Sequence, residues 1–180
     1  MDDIKARLDK IADTFQIIYT TNDNAIVFPS IAEWELNNKI TLNAYYNGIG
    51  RMVFSEPITN IPVSFLMGCK NLTSVIIPST CRVIHNYAFY GCENLEKVKF
   101  NNGLRIIGEK AFGKTGFKRV EIPTTCLYID DNAFDESKLK HLKLQTPTTA
   151  YRYFGVYAIG KQIKVDGVSK YDDFHSTTFG

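Results

Sequence analysis

The chain has 180 residues, of which 44% are hydrophobic and 22% are charged, and its formal net charge is +2. This composition is typical of one folded domain with a sizeable core, and it excludes an intrinsically disordered chain. The near-neutral net charge favours neither a nucleic-acid-binding nor a membrane-binding protein. The charge is unevenly distributed, however, at −3 over residues 1–48, +4 over 49–144 and +1 over 145–180.

The amino-terminal segment predicts a cap. It begins MDDIKARLDK, with acidic residues and without the apolar stretch of a secretory signal. We therefore expect either a cytoplasmic chain, which we favour, or a secreted one whose leader has been removed. No run approaches the roughly 18 apolar residues of a membrane helix, so we expect no membrane insertion. Four apolar residues recur at helical spacing and predict an N-terminal capping helix: Ile4, Leu8, Ile11 and Phe15. Strand-like runs follow, and we assign residues 1–48 to this cap.

The middle of the chain, residues 49–144, is built from repeats of 22–23 residues. Three copies align without internal gaps, between a degenerate copy and a partial one: 72–94, 95–116 and 117–138, preceded by 49–71 and followed by 139–144. The same apolar columns recur in each copy, for example Met52, Val75, Val98, Val120 and Leu142. A fixed period of this kind predicts units that stack their apolar side chains on those of their neighbours.

Each copy predicts the same succession of local structures. Alternating apolar and polar positions predict a strand, which Pro78 and Pro123 end because proline cannot donate to a ladder. A second short extended piece follows, and the Ala-Phe stretch after it predicts one short helical turn. Three glycines suit the exit from that turn with positive φ: Gly68, Gly91 and Gly113.

The repeat pattern LxxVxIPxxxxxIxxxAFxxCxxL resembles the BspA-like leucine-rich repeats over residues 49–144. The resemblance implies an α/β repeat solenoid of the leucine-rich-repeat type, right-handed, with a parallel β-sheet on its concave face and short helical turns on its convex side. It also implies a bacterial surface or secreted protein that serves adhesion, host interaction and partner binding. We assign residues 145–180, which contain a weaker echo of the repeat, to a C-terminal cap and tail.

The repeat pattern does not bring cysteines or other reactive residues together into a catalytic or metal-binding site. Cys69 and Cys92 share a column in adjacent units, so a disulfide between them is geometrically open, whereas Cys81 and Cys126 stand two units apart, too far to bridge. We favour buried free thiols, because both columns also hold residues other than cysteine. The spacing fits neither zinc binding nor a nucleophile–base set, so we expect no metal, no cofactor, no catalytic residue and no enzyme activity.

Outward positions on and beside the first strand of each copy predict a binding face on the concave sheet. The candidate residues are Arg51, Val53, Ile76, Lys97, Lys99, Lys118, Arg119, Lys140, His141 and Lys143. We expect Lys97, Arg119 and His141 to stack across neighbouring strands, an arrangement that an acidic partner would relieve. Lys99, Glu121 and Lys143 would form a cross-strand ladder of alternating charge.

Three hypotheses stay open for this face. In the first, its charges only keep the sheet solvated, and the solenoid is a structural spacer. In the second, the face recognises a protein or glycan partner, an acidic one in particular. In the third, it binds a polyanion such as nucleic acid, although aromatic residues do not interleave with the basic ones, which counts against base stacking. We predict a non-catalytic protein- or glycan-binding scaffold, with the polyanion binder as the alternative.

Overall fold

The described part of the chain contains twelve strands and one short 3-10 helix. The computed structural model describes residues 9–31, 38–130, 132–144 and 164–166. The strands are β1 (Gln16–Thr21), β2 (Ile40–Tyr46), β3 (Ile49–Phe54), β4 (Asn60–Ile61), β5 (Leu72–Ile76), β6 (Val83–Ile84), β7 (Lys97–Lys99), β8 (Ile106–Ile107), β9 (Arg119–Ile122), β10 (Tyr128–Ile129), β11 (His141–Leu144) and β12 (Lys164–Asp166). The 3-10 helix, Asp13–Phe15, directly precedes β1.

The strands form a solenoid in which each full repeat contributes a first and a second strand. The second strands, β4, β6, β8 and β10, form one parallel sheet of four rungs in that order. Among the first strands, β5 pairs with β7, and β9 pairs with β11, again in parallel. The registers keep the repeat columns aligned, since Val75 faces Val98 and Val120 faces Leu142. The predicted stacking of successive units in parallel sheets is confirmed.

The repeat columns form the hydrophobic core. One column consists of small, fully buried side chains that let the turns of successive units approach closely: Ala88, Ala111 and Ala133. In the next column the ring of Phe112 stacks on Phe89 at a centroid distance of 5.2 Å and on Phe134 at 5.8 Å. These distances lie close to the spacing of about 4.8 Å between paired strands, so the strand ladder sets the separation of the rings.

The Ala-Phe stretches form hydrogen-bonded turns instead of the short helical turns that the sequence predicts. Tyr87 has a φ of 59° directly before Ala88, and a left-handed residue at that point interrupts a right-handed helix. The Phe89 N–H then donates to the carbonyl of Ala111 in the next unit (2.8 Å). Because these backbone hydrogen bonds run between units, the side opposite the first strands consists of stacked turns.

The predicted N-terminal capping helix is not found in the described residues. Ile4 and Leu8 lie outside them, and after residue 8 only Asp13–Phe15 is helical before the chain becomes extended at Gln16. The α/β class that we predicted is therefore corrected to a parallel-strand solenoid that is almost free of helix in its described part. The handedness and curvature of the solenoid, and the boundaries of the two caps, stay predictions.

The residues that have positive φ after the Ala-Phe turns are only partly the three glycines that the sequence predicts. Gly68 and Gly91 both have a φ of 74°, as expected, but Gly113 does not have positive φ. In the third and fourth units the left-handed residues are Lys114, with a φ of 52°, and Glu136, with a φ of 56°. The column is therefore defined by its distance from the start of the repeat, and glycine is only one of the residues that occupy it.

Strand β1 is inserted between the first strands of the first two units. It runs antiparallel to both neighbours, with Ile17 facing Met52 in β3 and Tyr19 facing Val75 in β5. Behind it the second strands β4 and β6 pair directly with each other. The first sheet therefore has the order β2, β3, β1, β5, β7, and the sequence columns did not predict this insertion.

At the other end of the solenoid the series of first strands continues past residue 144. Strand β12 pairs with β11 in parallel, with Lys164 in register with His141, one repeat length further along the chain. The remainder of the predicted C-terminal cap lies outside the described residues. Among the described residues, no helix is long and apolar enough to cross a lipid bilayer.

Candidate binding face

The candidate site is the outer surface of the first strands, which we call the sheet face. It is formed by the outward residues of β1, β3, β5, β7, β9 and β11, together with the residue just before each of the last three. Side chains alternate between the two sides of a strand. Because Val120 and Leu142 are buried in the core, their neighbours Arg119 and Lys143 point outward and are exposed.

The half of the sheet face formed by β7, β9 and β11 is strongly basic. Its exposed cations are Lys97, Lys99, Lys118, Arg119, Lys140 and Lys143. Two carboxylates, Glu96 and Glu121, stand among them. Lys143 Nζ lies 3.0 Å from Glu121 Oε1, but both side chains are about half exposed, so this ion pair contributes about 0–1 kcal/mol. Within the described part of the chain, the other five cations form no ion pair.

The predicted charge ladders are only partly present. Arg119 and His141 are register partners in β9 and β11, as are Glu121 and Lys143. Strand β7, however, belongs to a different sheet from β9. The predicted stacking of Lys97 on Arg119, and of Lys99 on Glu121, therefore does not extend across these two strands.

The side chain of His141 has a polar atom without a hydrogen-bond partner. Its Nδ1 atom is buried and has no hydrogen-bond partner, the one buried side-chain nitrogen or oxygen of which this holds among the described residues. A buried polar atom without a partner costs about 1–3 kcal/mol. Because this Nδ1 atom is buried, it adds no accessible polar group to the basic half.

The amino-terminal end of the sheet face is covered, contrary to our prediction of an open surface there. Arg51 donates to Gln16 Oε1 (3.0 Å) and forms an ion pair with Asp9 (2.8 Å), and only 17% of its side chain is exposed. Val53 is buried at 7% exposure and faces Gln16 of the inserted strand. Strand β1 and the residues before it occupy the space that the candidate residues Arg51 and Val53 would need.

Ile76 marks the boundary between the covered and the basic halves. It is 39% exposed and is in register with Ile18 on one side and Lys99 on the other. The structure therefore leaves eight of the ten candidate residues available, one of them apolar, and brings seven of them together in the basic half.

A cleft separates β7 from β9 within the basic half. Its volume is about 500 Å³, and residues of both strands line it. Val98 and Phe100 are only partly buried there, whereas Val75 and Ile77 in the same two columns of the preceding unit are buried. The cleft therefore exposes apolar core positions beside the cations.

Asn101 holds the end of β7 against the preceding unit. The neighbouring units have proline at this column, Pro78 and Pro123, and here the asparagine amide donates to the carbonyls of Pro78 (2.6 Å) and Cys81 (3.0 Å). These bonds tie β7 to the side of β5, away from β9. The sequence contained the substitution, but the cleft residues Val98 and Phe100 were predicted to be ordinary core.

The four cysteines are free thiols, as we favoured, and the Cys69–Cys92 disulfide is not formed. Cys69 donates to Asn71 Oδ1 (3.1 Å), and Cys92 donates to the carbonyl of Leu66 (3.1 Å). Burial raises the pKa of the Cys81 and Cys126 thiols to about 12 and raises that of Cys92 as well. Since the thiolate is the nucleophile, these positions are unsuited to covalent chemistry.

A second concavity, of about 420 Å³, lies at the amino-terminal end of the solenoid. His85, which we expected at a solvated turn, is half-buried and lines it together with Asn38 and Glu56. No group of three or more His, Cys, Asp or Glu residues suited to a metal ion occurs among the described residues.

The fold and its charged face define a class of protein: a repeat solenoid built from parallel strands. Residues 59–165 match the BspA type leucine-rich repeat region, in six copies. The chain belongs to this family, whose members are generally protein-binding and generally non-catalytic.

Comparison with individual proteins adds little to the family assignment. The chain is similar to a leucine-rich repeat protein from Bacteroides ovatus, known from a crystal structure, at 22% identity and a TM-score of 0.38. The match covers 58% of this chain and 33% of that protein, so this chain spans about a third of its length. No curated protein matches the chain.

Proposed function

We propose that this protein is a non-catalytic binding module that holds an acidic segment of a partner protein on the basic half of its sheet face. The observation that carries the proposal is the set of five exposed cations without ion pairs in the described part of the chain: Lys97, Lys99, Lys118, Arg119 and Lys140. They lie on successive units, so an extended partner would meet one after another.

Electrostatics favours an acidic partner at this surface. The basic half carries six cations and two carboxylates, one of which, Glu121, pairs with Lys143. Such a one-sided distribution attracts anionic groups over several ångströms and raises the rate of association. The apolar residue Ile76 and the exposed part of Val98 lie at the same surface, and they suit a polypeptide better than a purely charged polymer.

Nucleic acid is the weaker candidate. Proteins that bind single strands usually place aromatic side chains among their cations, because bases stack on them. The outward residues of β7, β9 and β11 include no Phe, Tyr or Trp, and the exposed Tyr128 lies in β10 of the other sheet. The outward residues of these strands can therefore attract phosphates without offering a Phe, Tyr or Trp ring to the bases, and Phe100, just after β7, is only partly exposed.

The test is a fluorescence-anisotropy titration with three fluorescein-labelled probes: an acidic peptide of eight glutamates, heparin and a single-stranded DNA. The wild type is compared with the variant Lys118→Glu, Arg119→Glu, Lys140→Glu. A matched control carries Lys39→Glu, Arg105→Glu and Lys138→Glu, three exposed cations away from the sheet face. We expect the peptide affinity to fall at least tenfold in the first variant and to stay unchanged in the control.

Each alternative gives a different pattern. Tighter binding of DNA or heparin than of the peptide, with a steep dependence on salt concentration, would replace the protein partner with a polyanion. Equal losses in both triple variants would mean that only the net charge matters. If no probe binds even at low salt, the basic half is simply a solvated surface and the proposal is wrong.

A further inference from the structure

The cleft between β7 and β9 lies between two sheet edges. Strand β7 is the last strand of the five-stranded sheet, and β9 is the last strand of the three-stranded sheet. Residues of both strands line the cleft, among them Val98, Phe100 and Val120. An edge strand presents backbone N–H and C=O groups to whatever lies beside it and is a common site for the addition of another strand.

The same chain already contains an inserted strand at the equivalent place two units earlier. Between the first and second units, β1 separates β3 from β5 and pairs antiparallel with both. The second strands of those units, β4 and β6, remain directly paired behind it. The repeat therefore accommodates an extra strand on one side while its other side stays continuous.

The third and fourth units repeat this arrangement around the cleft. Their first strands, β7 and β9, are not paired with each other beyond the point where the Gly116 N–H donates to the carbonyl of Leu95 (3.0 Å), while their second strands β8 and β10 are directly paired, with Ile106 facing Tyr128. The cleft of about 500 Å³ falls within the range of about 300–1,000 Å³ that is usual for binding pockets. It occupies the position that β1 fills in the first pair of units.

The floor of the cleft is apolar, and its rim is mainly positively charged. Val98, Phe100 and Val120 supply apolar surface toward the core, where β1 places Ile17 and Tyr19 in its own position. At the rim stand the cations Lys97, Lys99 and Arg119, together with Glu96 and with Glu121, which pairs with Lys143. An inserted strand would therefore meet apolar groups on one side and mainly positive charge on the other.

We propose that this cleft takes an extended segment of a partner protein as an added strand, antiparallel to β7 and β9, with apolar and acidic residues in alternation. The acidic character of the segment rests on the function proposed above, whereas the insertion rests on the geometry of β1. Hydrogen bonds to both edges provide affinity, and the alternation selects the register, since a shift by one residue would exchange apolar and acidic positions.

The test compares peptides of identical composition on the wild-type protein. One probe is a fluorescein-labelled octapeptide of alternating glutamate and valine, and the second has four glutamates followed by four valines. A third is the alternating peptide with N-methyl groups on every second residue, which removes hydrogen-bond donors without changing charge. We expect the alternating peptide to bind at least tenfold tighter than the other two, as measured by anisotropy.

Hydrogen–deuterium exchange on the same samples locates the peptide. The alternating peptide is expected to protect backbone amides in both 96–100 and 118–122, and not those of 104–108 in the second-strand sheet. Equal affinities for all three peptides, with no protection of β7 and β9, would overturn strand insertion while leaving binding to the basic face intact. Some amides of these segments are protected in the free protein by pairing with β5 or β11. Protection in the free protein of the remaining amides, which face the cleft, would overturn the proposal as well. If no acidic peptide binds, the proposed function itself fails.

Discussion

Tyr19 connects the inserted strand to the core of the solenoid. Its side chain is 1% exposed, and its hydroxyl donates to Asn43 Oδ1 (2.8 Å) and accepts from the Val27 N–H (3.3 Å). The ring lies across Gly50 in the neighbouring strand, where an added Cβ would overlap the ring atoms. Gly50 is therefore required by a side chain and not by an unusual backbone angle.

The variant Gly50→Ala tests this contact. Because the ring of Tyr19 is buried and its ring atoms lie where the added Cβ would be, we expect a loss of about 1–3 kcal/mol in the free energy of unfolding, the usual cost of overpacking a core. Urea denaturation followed by circular dichroism provides the measurement. In a Tyr19→Leu background the same substitution should cost clearly less, and an equal cost in both backgrounds would show that the ring is not responsible.

The residues that recur at the repeat period were the ones best predicted from the sequence. Val75, Val120 and Phe112 are buried as their columns indicate, because stacking imposes the same environment at each step. Gly113 was assigned to the left-handed column on its residue type alone, whereas Lys114 occupies that position. Distance along the repeat therefore predicts backbone conformation better than the presence of glycine.

At the scale of elements, the third unit differs from its neighbours at the end of its first strand. Asn101 replaces the proline of the second and fourth units and makes two hydrogen bonds back to the second unit. Its Oδ1 also accepts from the Gly103 N–H (2.5 Å). Three hydrogen bonds from one side chain make this loop a fixed attachment between the second and third units.

Asn101→Asp keeps the acceptor for Gly103 but removes both donated hydrogen bonds. We expect the free energy of unfolding to fall by about 1–3 kcal/mol, since two carbonyls lose their partner and a carboxylate is brought beside them. Thermal denaturation of this variant is compared with that of Asn102→Asp, which makes the same change at an exposed neighbour. Equal stability of the two variants would contradict the role given to Asn101.

The inserted strand is the element that the sequence could not predict. Residues 16–21 read QIIYTT, which lacks a clear alternation, and Phe15 just before them continued the helical spacing that we had followed from Ile4. The covering of Arg51 and Val53 is a consequence of that strand, so their assignment to an open face was wrong for the same reason. Long-range pairing of this kind leaves no periodic trace in the chain.

Over the whole molecule, buried thiols report how cooperatively the solenoid unfolds. Cys81 and Cys92 lie in the second unit and Cys126 in the fourth, and all three are buried. A ring stack that runs from Phe89 to Phe134 joins these units. With so few units and a continuous core, we expect the described repeats to unfold together.

The rate of reaction with a thiol reagent at pH 8 tests this prediction. Cys69, which is only partly buried, should react first, and the three buried thiols should react later at one common rate, that of unfolding. Individual Cys→Ala variants assign each reaction to its residue. A Cys126 that reacts much faster than Cys81 and Cys92 would show that the carboxyl-terminal units open separately.

The same thiols predict how stability depends on pH. Burial raises the pKa of Cys81 and Cys126 from 9.0 to about 12, so between these values the unfolded chain loses protons that the folded chain keeps. Their contribution to stability is fully present below about pH 9 and is lost as the pH rises toward 12. A variant with both residues changed to alanine should show a shallower decline in urea midpoint over this range, and an unchanged slope would contradict the assignment.

The position of β1 also determines the order in which a growing chain can be completed. Its residues are synthesised before both of its partners, and the later of the two, β5, ends only at Ile76. Until the ribosome has released that partner, the apolar side chains of Ile17 and Tyr19 have no closed core to enter. The repeats that follow need only their immediate neighbours. Strand β1 is therefore synthesised before its partners but reaches its final place only after the second unit has been made.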